Sequence, residues 1–402
     1  MNQTKKNVST KPRKKKKKAS SKQKQQSVRF VLIGVVILTA VLIILGALVF
    51  SADKVISDES VSSENSELLS TVSSDEMGFP VTFSNNDIIR TESFSSKIFV
   101  LGKKILTCIT DSGKIKYNHI FTFTNPEMTV SEKYGLVYDR ASPKYLIFNS
   151  KGVIYEGESE NGKHIIAADI NNKGDVALVT KSDDSACRVS LTDKKGRVIY
   201  IWSCAEEYGV SVDLSEDGQE ILCGVLGSEN GTLYSKIYLL DIHSEDEAVG
   251  YKTEDSALID VKLSGKRAIV TFNNGRSVYT FRSSGVKEDH IPYSSDGVDM
   301  IYSDKNGNTA VASKKIGSFN TNEIYVYNKN NDIIYVGHTD EEIVDVICRG
   351  KKVYLLSDTA IYESSSDGTF EAVGTKEISG EGLVICKSRL YYYSTGHVDI
   401  NS

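Results

Sequence analysis

Two interleaved sets of turns, recurring from Phe79 to the end of the chain, leave this sequence few ways to fold. The first set is Glu132-Lys133-Tyr134-Gly135, Asn172-Lys173-Gly174, Asp217-Gly218, Ser264-Gly265, Asn306-Gly307 and Arg349-Gly350, whose glycines are spaced 39, 44, 47, 42 and 43 residues apart. Ser95-Ser96 fits one period earlier and Lys387-Ser388 one period later, which makes eight. The second set falls between them: Asp111-Ser112-Gly113, Ser150-Lys151-Gly152, Asp193-Lys194-Lys195-Gly196, Ser284-Gly285, Asn330-Asn331 and Asp367-Gly368. Such turns need residues that tolerate positive φ or that bond their own backbone. Short runs of Val, Ile, Leu, Tyr and Phe lie between them, as in Ile324-Tyr325-Val326-Tyr327 and Lys236-Ile237-Tyr238-Leu239-Leu240. These residue types favour strands, and no stretch sustains a helical period. Two hairpin turns per repeat define a four-stranded antiparallel unit, which cannot bury both faces alone. Stacking such units around an axis predicts an all-β propeller over residues 79–402, with eight four-stranded blades or, as the alternative, seven. Gly382 to Ser388, Arg389 to Ser394 and His397 to Ile400 supply three strands of the last blade. Phe79-Pro80-Val81-Thr82-Phe83 is predicted to add the fourth and to close the ring.

Charge and hydropathy divide the rest of the chain. Residues 1–29 hold twelve Lys and Arg, including Lys14 to Lys18, and no Asp or Glu. Phe30 to Phe50 is uncharged, with Thr39 its one polar side chain. At 1.5 Å per residue this segment spans about 31 Å as a helix, the thickness of a bilayer's hydrocarbon core. A buried core helix would carry a polar stripe. A cleaved signal peptide has a shorter apolar region, of about 7–15 residues, although Val49-Phe50-Ser51 loosely fits a cleavage site. The reading is a transmembrane helix over 30–50, with a cytoplasmic basic tail at 1–29 and an extracytoplasmic C-terminal domain, because cations concentrate on the inner side. Residues 51–402 are net −17, from 36 basic and 53 acidic residues. Residues 51–78, with nine serines, read as a flexible Ser- and acid-rich linker, with a short helix around Glu67 to Val72 as a variant.

No residue set with catalytic, cofactor-binding or metal-binding spacing stands out, and no cofactor is expected. His119, His164, His243, His290, His338 and His397 are dispersed. Asp304-Lys305-Asn306-Gly307-Asn308 begins like a calcium loop, but Lys315 stands where the twelfth-position glutamate belongs, so it reads as a hairpin turn. Glu245-Asp246-Glu247 and Asp340-Glu341-Glu342 could supply paired carboxylates for acid–base work but lie between strands, as solvated loops do. Cys108, Cys187, Cys204, Cys223, Cys348 and Cys386 form no C-x-x-C pair. Cys187 and Cys204 flank one turn at nearly equal distance, which places them opposite each other in a hairpin, as buried thiols or as a cross-strand disulfide.

Thr192-Asp193-Lys194-Lys195-Gly196-Arg197-Val198-Ile199-Tyr200-Ile201-Trp202 resembles the repeat of quinoprotein-like propellers. So do Thr110 to Tyr117 and Asn149 to Tyr155. In that family a Trp after the turn docks between blades; here Trp202 fills one such slot and Tyr or Ile the others. The Gly-His and Trp-Asp pairs of WD40 repeats are absent. The whole chain is similar to an uncharacterised bacterial family of single-pass membrane proteins with an extracytoplasmic quinoprotein-like or WD40-like propeller. The resemblance is carried by Gly78-Phe79-Pro80-Val81, Asn125-Pro126 and Ser215-Glu216-Asp217-Gly218, in that order. It implies a fold and a location in the cell envelope, and no activity.

The expected function is a non-catalytic binding or scaffolding module in the cell envelope, with a protein or glycan partner. The acidity of the propeller argues against nucleic acid or anionic polymers as its ligands. The alternative is a glycan-active hydrolase or lyase with its site in the propeller funnel; a third reading is a sensor that signals through the helix. The expected partner of residues 30–50 is the lipid bilayer. The basic tail has anionic headgroups, or cytoplasmic nucleic acid, as further candidates.

Overall fold

The computed structural model describes residues 72–74 and 78–401, except 84–87, 141, 245–247, 249, 255, 283–284, 294–296, 305, 315–320 and 375–379. The predicted transmembrane segment, the basic tail and the helix variant before Val72 lie outside the described residues. Among those described, no helix is long and apolar enough to cross a membrane.

Eight antiparallel sheets follow one another along the chain, and in seven of them the strand order is the sequence order. Blades 1 to 7 cover residues 88–120, 126–158, 165–204, 208–254, 258–292, 300–339 and 343–373. Blade 8 takes Gly382–Cys386, Arg389–Ser394 and His397–Ile400 from the C-terminus. Its fourth strand is Val81–Phe83, with Val81 opposite Val398 and Thr82 opposite His397. The ring is therefore closed by pairing the two ends of the domain, as the three-strand remainder predicts. A fifth strand, Val72–Ser74, pairs outside Val81–Phe83. It falls in the serine-rich stretch read as linker; the open edge of Val81–Phe83 gives this segment hydrogen-bond partners that its own composition does not announce.

The described residues of both turn sets join strands one and two and strands three and four of the blades, except that Gly135 lies within the second strand of blade 2; Ser284 lies outside the described residues. The backbone is left-handed at Ser95 and Ser96 (φ 48° and 58°) and at Lys387 (φ 56°), where glycine-free turns hold the repeat. Asp304 ends as a turn residue: its carboxylate accepts from the backbone N–H groups of Asn306 and Asn308 at 2.8 and 2.9 Å and from Gly350 of blade 7 at 3.0 Å.

The core has no single centre. It is a series of apolar clusters, each shared by two consecutive blades. Strand period two explains this, because neighbouring residues face opposite sides of a blade. Val137 and Leu146 of blade 2 join the cluster with blade 1, while Leu136 and Ile147 join the one with blade 3. Inner strands covered on both faces read as unbroken apolar runs, as in Ile105–Thr110 and Val176–Thr180, both wholly buried. Outermost strands such as Gly152–Glu158 alternate instead.

Candidate functional site

The first strand of each blade forms the inner ring, and first strands of consecutive blades touch around most of it. In blades 1, 3, 4, 5 and 7 this strand carries a bulge near its start. The inserted residue is aliphatic each time: Ile89, Ile166, Val210, Ile259 and Val344. Ile89 and Ile259 are 39% and 43% exposed. A bulge re-aims the residues that follow it, here Arg90, Ala167, Ser211, Asp260 and Asp345. Two positions further on stand Glu92, Asp169, Asp213, Lys262 and Ile347.

Three of these carboxylates gather on Lys262. Asp213 Oδ1 is 2.5 Å from Lys262 Nζ, and Asp213 Oδ2 accepts from the Leu263 N–H at 2.7 Å. Asp169 Oδ2 accepts from the Leu214 N–H at 2.9 Å, and its Oδ1 from the Thr129 hydroxyl at 3.1 Å. Ser211 donates to Asp260 Oδ1 at 3.2 Å and accepts from the Val261 N–H at 3.3 Å. Across the ring, Asp345 Oδ2 accepts from the Leu383 N–H of blade 8 at 2.8 Å, and Ser93 of blade 1 donates to the Ile385 carbonyl of blade 8 at 2.5 Å. In each case a polar side chain of one inner strand bonds the next blade, so these groups staple the ring together.

Burial pushes the Asp213 carboxyl up to about 7, outweighing the pull of Lys262, with Asp169 adding to the rise. Burial alone would lower Lys262, but Asp213, Asp169 and Asp260 overcome it and raise its pKa. Asp345 is raised to about 6 by burial, against the N–H groups of Leu383 and Val346. The folded Asp213 thus holds its proton more tightly than an unfolded aspartate, whose pKa is about 3.9. Its contribution is present below that value and declines as pH rises to about 7, because the unfolded chain ionises first. Urea unfolding at pH 5 and pH 8 should show a fall in stability for the wild type and a smaller one for Asp213→Asn. Equal falls would mean that Asp213 does not carry the effect.

These inner-ring groups were missed in the sequence, yet a signal was there. Thr129, Asp169, Asp213, Lys262 and Tyr302 each lie two residues before the turn residue that opens the first hairpin. Of the residues singled out by sequence, Asp340, Glu341 and Glu342 do come together with Asp299, lining a cavity of about 290 Å³ beside blades 6 and 7. Glu245, Asp246 and Glu247 lie outside the described residues. The histidines stay apart; His119 pairs with Glu156 at 3.2 Å, and His290 and His397 bond Ser277 and Ser394. Among the described residues, no group of three or more His, Cys, Asp or Glu is placed to hold a metal ion.

All six cysteines are buried free thiols. Cys187 and Cys204 are register partners, as the turn between them predicts. Cys204 Sγ donates to Glu207 Oε2 at 2.8 Å, and Glu207 also receives Lys236 and the Tyr234 hydroxyl. Against the effect of burial, Cys204 and Lys236 hold Glu207 below the usual carboxylate range. This network ties blade 3 to blade 4 beside Trp202, whose ring lies 4.8 Å from Tyr238. The Trp therefore docks between blades, as the quinoprotein-like repeat implies. The other motif segments are structural too: the backbone N–H groups of Asn125 and Thr124 donate to the Asp139 carboxylate at 2.9 and 2.8 Å, and the side chains of Asn171 and Lys173 of blade 3 donate to the turn carbonyls of Ser215 and Asp217.

The outermost strands differ in surface chemistry. That of blade 5, Gly285–Pro292, presents Lys287, Glu288, Asp289 and His290. That of blade 3, Val198–Cys204, exposes Val198, Ile199 and Ile201 by 42%, 52% and 42%. Among the described residues it pairs only with Cys187–Thr192, and its other edge has no partner strand.

A protein-family model described as a family of unknown function matches residues 70–396. No curated protein matches the chain. Among solved structures, BamB from Moraxella catarrhalis is similar at 11% identity and a TM-score of 0.52, over 78% of this chain and 96% of that one. The C-terminal WD40 domain of Sif2 is similar at 9% identity and a TM-score of 0.55, over 79% and 96%. Apo AztD from Citrobacter koseri is similar at 12% identity and a TM-score of 0.54, over 74% and 88%. At these identities the likeness is one of fold.

Proposed function

The chain belongs to DUF5711, a family of unknown function, and we propose that it is a membrane-anchored, extracytoplasmic propeller that binds or scaffolds a protein of the cell envelope without catalysing a reaction. The observation that carries this reading is the outer edge of blade 3. Natural sheets protect open edges with charge, as blade 5 does. An edge that instead offers Val198, Ile199 and Ile201 fits a partner segment that adds as a further strand: main-chain bonds supply affinity and the aliphatic groups specificity. The inner ring supports the non-catalytic part. A general acid or base must reach its substrate, whereas Asp169 and Asp213 spend their oxygens on neighbouring blades and Asp345 spends one on blade 8 and one on its own Val346 N–H. The anchor rests on the apolar run Phe30 to Phe50 and the cations before it, with the tail held to anionic headgroups at about 1 kcal/mol per cation.

The test is site-specific photocrosslinking in intact membranes. A crosslinker at Ile199 should capture a discrete protein that one at His290 does not, and Ile199→Lys with Ile201→Lys should abolish capture. As these side chains are exposed, the double variant should keep its stability within about 0.5 kcal/mol. Equal capture at both blades, or capture that survives the substitutions, would remove the edge from the reading.

The convergence of Asp169, Asp213 and Asp260 on Lys262 favours one second reading, a glycan-active hydrolase or lyase in the funnel. It requires release of reducing ends from envelope glycan by the wild type and not by Asp213→Asn or Asp260→Asn.

A further inference from the structure

The junction between blades 5 and 6 is built unlike the others. Its cluster is small and aromatic, with Tyr293, Val311, Tyr325 and Tyr327 at its centre. Beside it lies Arg276, whose side chain is wholly buried at 0% exposure. The guanidinium sits 4.8 Å from the centre of the Tyr327 ring. Nη1 donates to Asn331 Oδ1 at 2.7 Å, both Nη atoms approach the Asn328 carbonyl at 3.4 Å, and Nη2 reaches Thr309 Oγ1 at 3.5 Å. Every one of these acceptors is neutral, and no carboxylate of the described residues pairs with Arg276. Three buried polar atoms in this region have no hydrogen-bond partner: Arg276 Nε, the Tyr293 hydroxyl and the Tyr327 hydroxyl.

A guanidinium stays protonated in proteins. Burying it without an opposite charge is costly even after relaxation, and each orphaned donor adds its own unrecovered desolvation. A water molecule could accept from Nε and the hydroxyls, but it would leave the positive charge uncompensated. A small anion answers both demands. The rings of Tyr293, Tyr325 and Tyr327 are in mutual contact, with centroids 5.5 to 6.4 Å apart, which leaves no room among them for an ion as large as sulfate or phosphate. We propose that a halide-class anion binds between blades 5 and 6, accepting hydrogen bonds from Arg276 Nε and from the hydroxyls of Tyr293 and Tyr327. Tyr293 follows the last strand of blade 5, whereas Tyr327 ends the third strand of blade 6, so the ion clamps the two blades. Burial lowers the Arg276 pKa to about 10, and a bound anion would oppose that loss.

The full-length chain in neutral detergent provides the test. Thermal unfolding is followed in sodium chloride, sodium bromide and sodium gluconate at equal ionic strength, and crystals grown in bromide are measured at its absorption edge. The wild type should melt several degrees higher in either halide than in gluconate, with an anomalous peak beside Arg276. Tyr293→Phe removes one donor without removing volume, and should weaken halide binding about tenfold, or about 1.4 kcal/mol. Should Arg276→Met fail to fold, Tyr293→Phe and Tyr327→Phe together still decide the matter by losing the halide-dependent shift. Coincident wild-type melting curves, a shift that survives in the double variant, or a water in place of the anomalous peak would overturn the proposal.

Discussion

Val81→Asp should open the ring. Val81 is 0% exposed, lies opposite the equally buried Val398 and belongs to the one strand that joins the start of the domain to its last blade. The closure extends beyond the ladder. The Phe83 N–H donates to the Gly396 carbonyl at 2.8 Å, and the Phe79 ring lies 5.0 Å from that of Tyr391. Tyr391 in turn donates to the Asp111 carbonyl of blade 1 at 2.9 Å, and Lys387 pairs with Asp111 at 2.5 Å. A carboxylate in place of Val81 is buried without a partner, at a cost on the order of 4 kcal/mol or more. Val81→Ala removes only buried methyls and should cost about 2 kcal/mol. Against a typical total of about 5–15 kcal/mol, the aspartate variant should be largely open at 37 °C. Urea unfolding with limited proteolysis measures this, with cleavage expected first around residues 72–83. If the two variants lose the same stability, the strap does not hold the ring.

Phe148→Ala should be nearly as damaging, at about 3–5 kcal/mol. Phe148 is 0% exposed and its ring centroid lies 5.1 Å from that of Phe99 and 5.9 Å from that of Phe94, at the heart of the cluster between blades 1 and 2. Opposite it in register stands Gly135, whose added Cβ would fall 2.0 Å from Phe148 Cζ. The glycine is there to admit the ring. Gly135→Ala should therefore cost about 1–3 kcal/mol by overpacking, and Phe148→Leu should recover part of it. A double-mutant cycle with a coupling above about 0.5 kcal/mol is expected; strict additivity would show that the ring does not require the glycine.

These two sites mark how far the sequence could be read. Turn residues such as Asp193 and Gly196 declare themselves locally, because the chemistry that makes the turn resides in the turn. For Asp193 the carboxylate accepts from its own Lys195 and Arg197 N–H groups at 2.9 and 3.0 Å. The strap was legible for a different reason: three strands after the last turn demanded a fourth, and only Phe79 to Phe83 was left. The packing of Phe148 on Gly135 was not visible, since a glycine in a repeat of glycine turns looks like another turn residue. Asp169, Asp213 and Lys262 passed as ordinary polar positions because their partners sit one blade away, some 45 residues along the chain. The candidate binding edge was not legible: nothing in Val198, Ile199 and Ile201 distinguishes an outermost strand from an inner one, and only their place as the outermost strand of blade 3 exposes them.

From the sequence by itself came the repeat, the strand character of each unit, the joining of the two ends and the expected anchor, all properties of residues close together or of simple counting. Tertiary structure alone decided which carboxylates would be consumed as staples, which strand would keep a bare aliphatic edge, and where a buried arginine would lack a counter-charge. Those outcomes depend on how one twisted sheet lies against the next. Stacking brings together side chains from separate blades, and their energy comes from desolvation and partner geometry that a linear pattern does not encode.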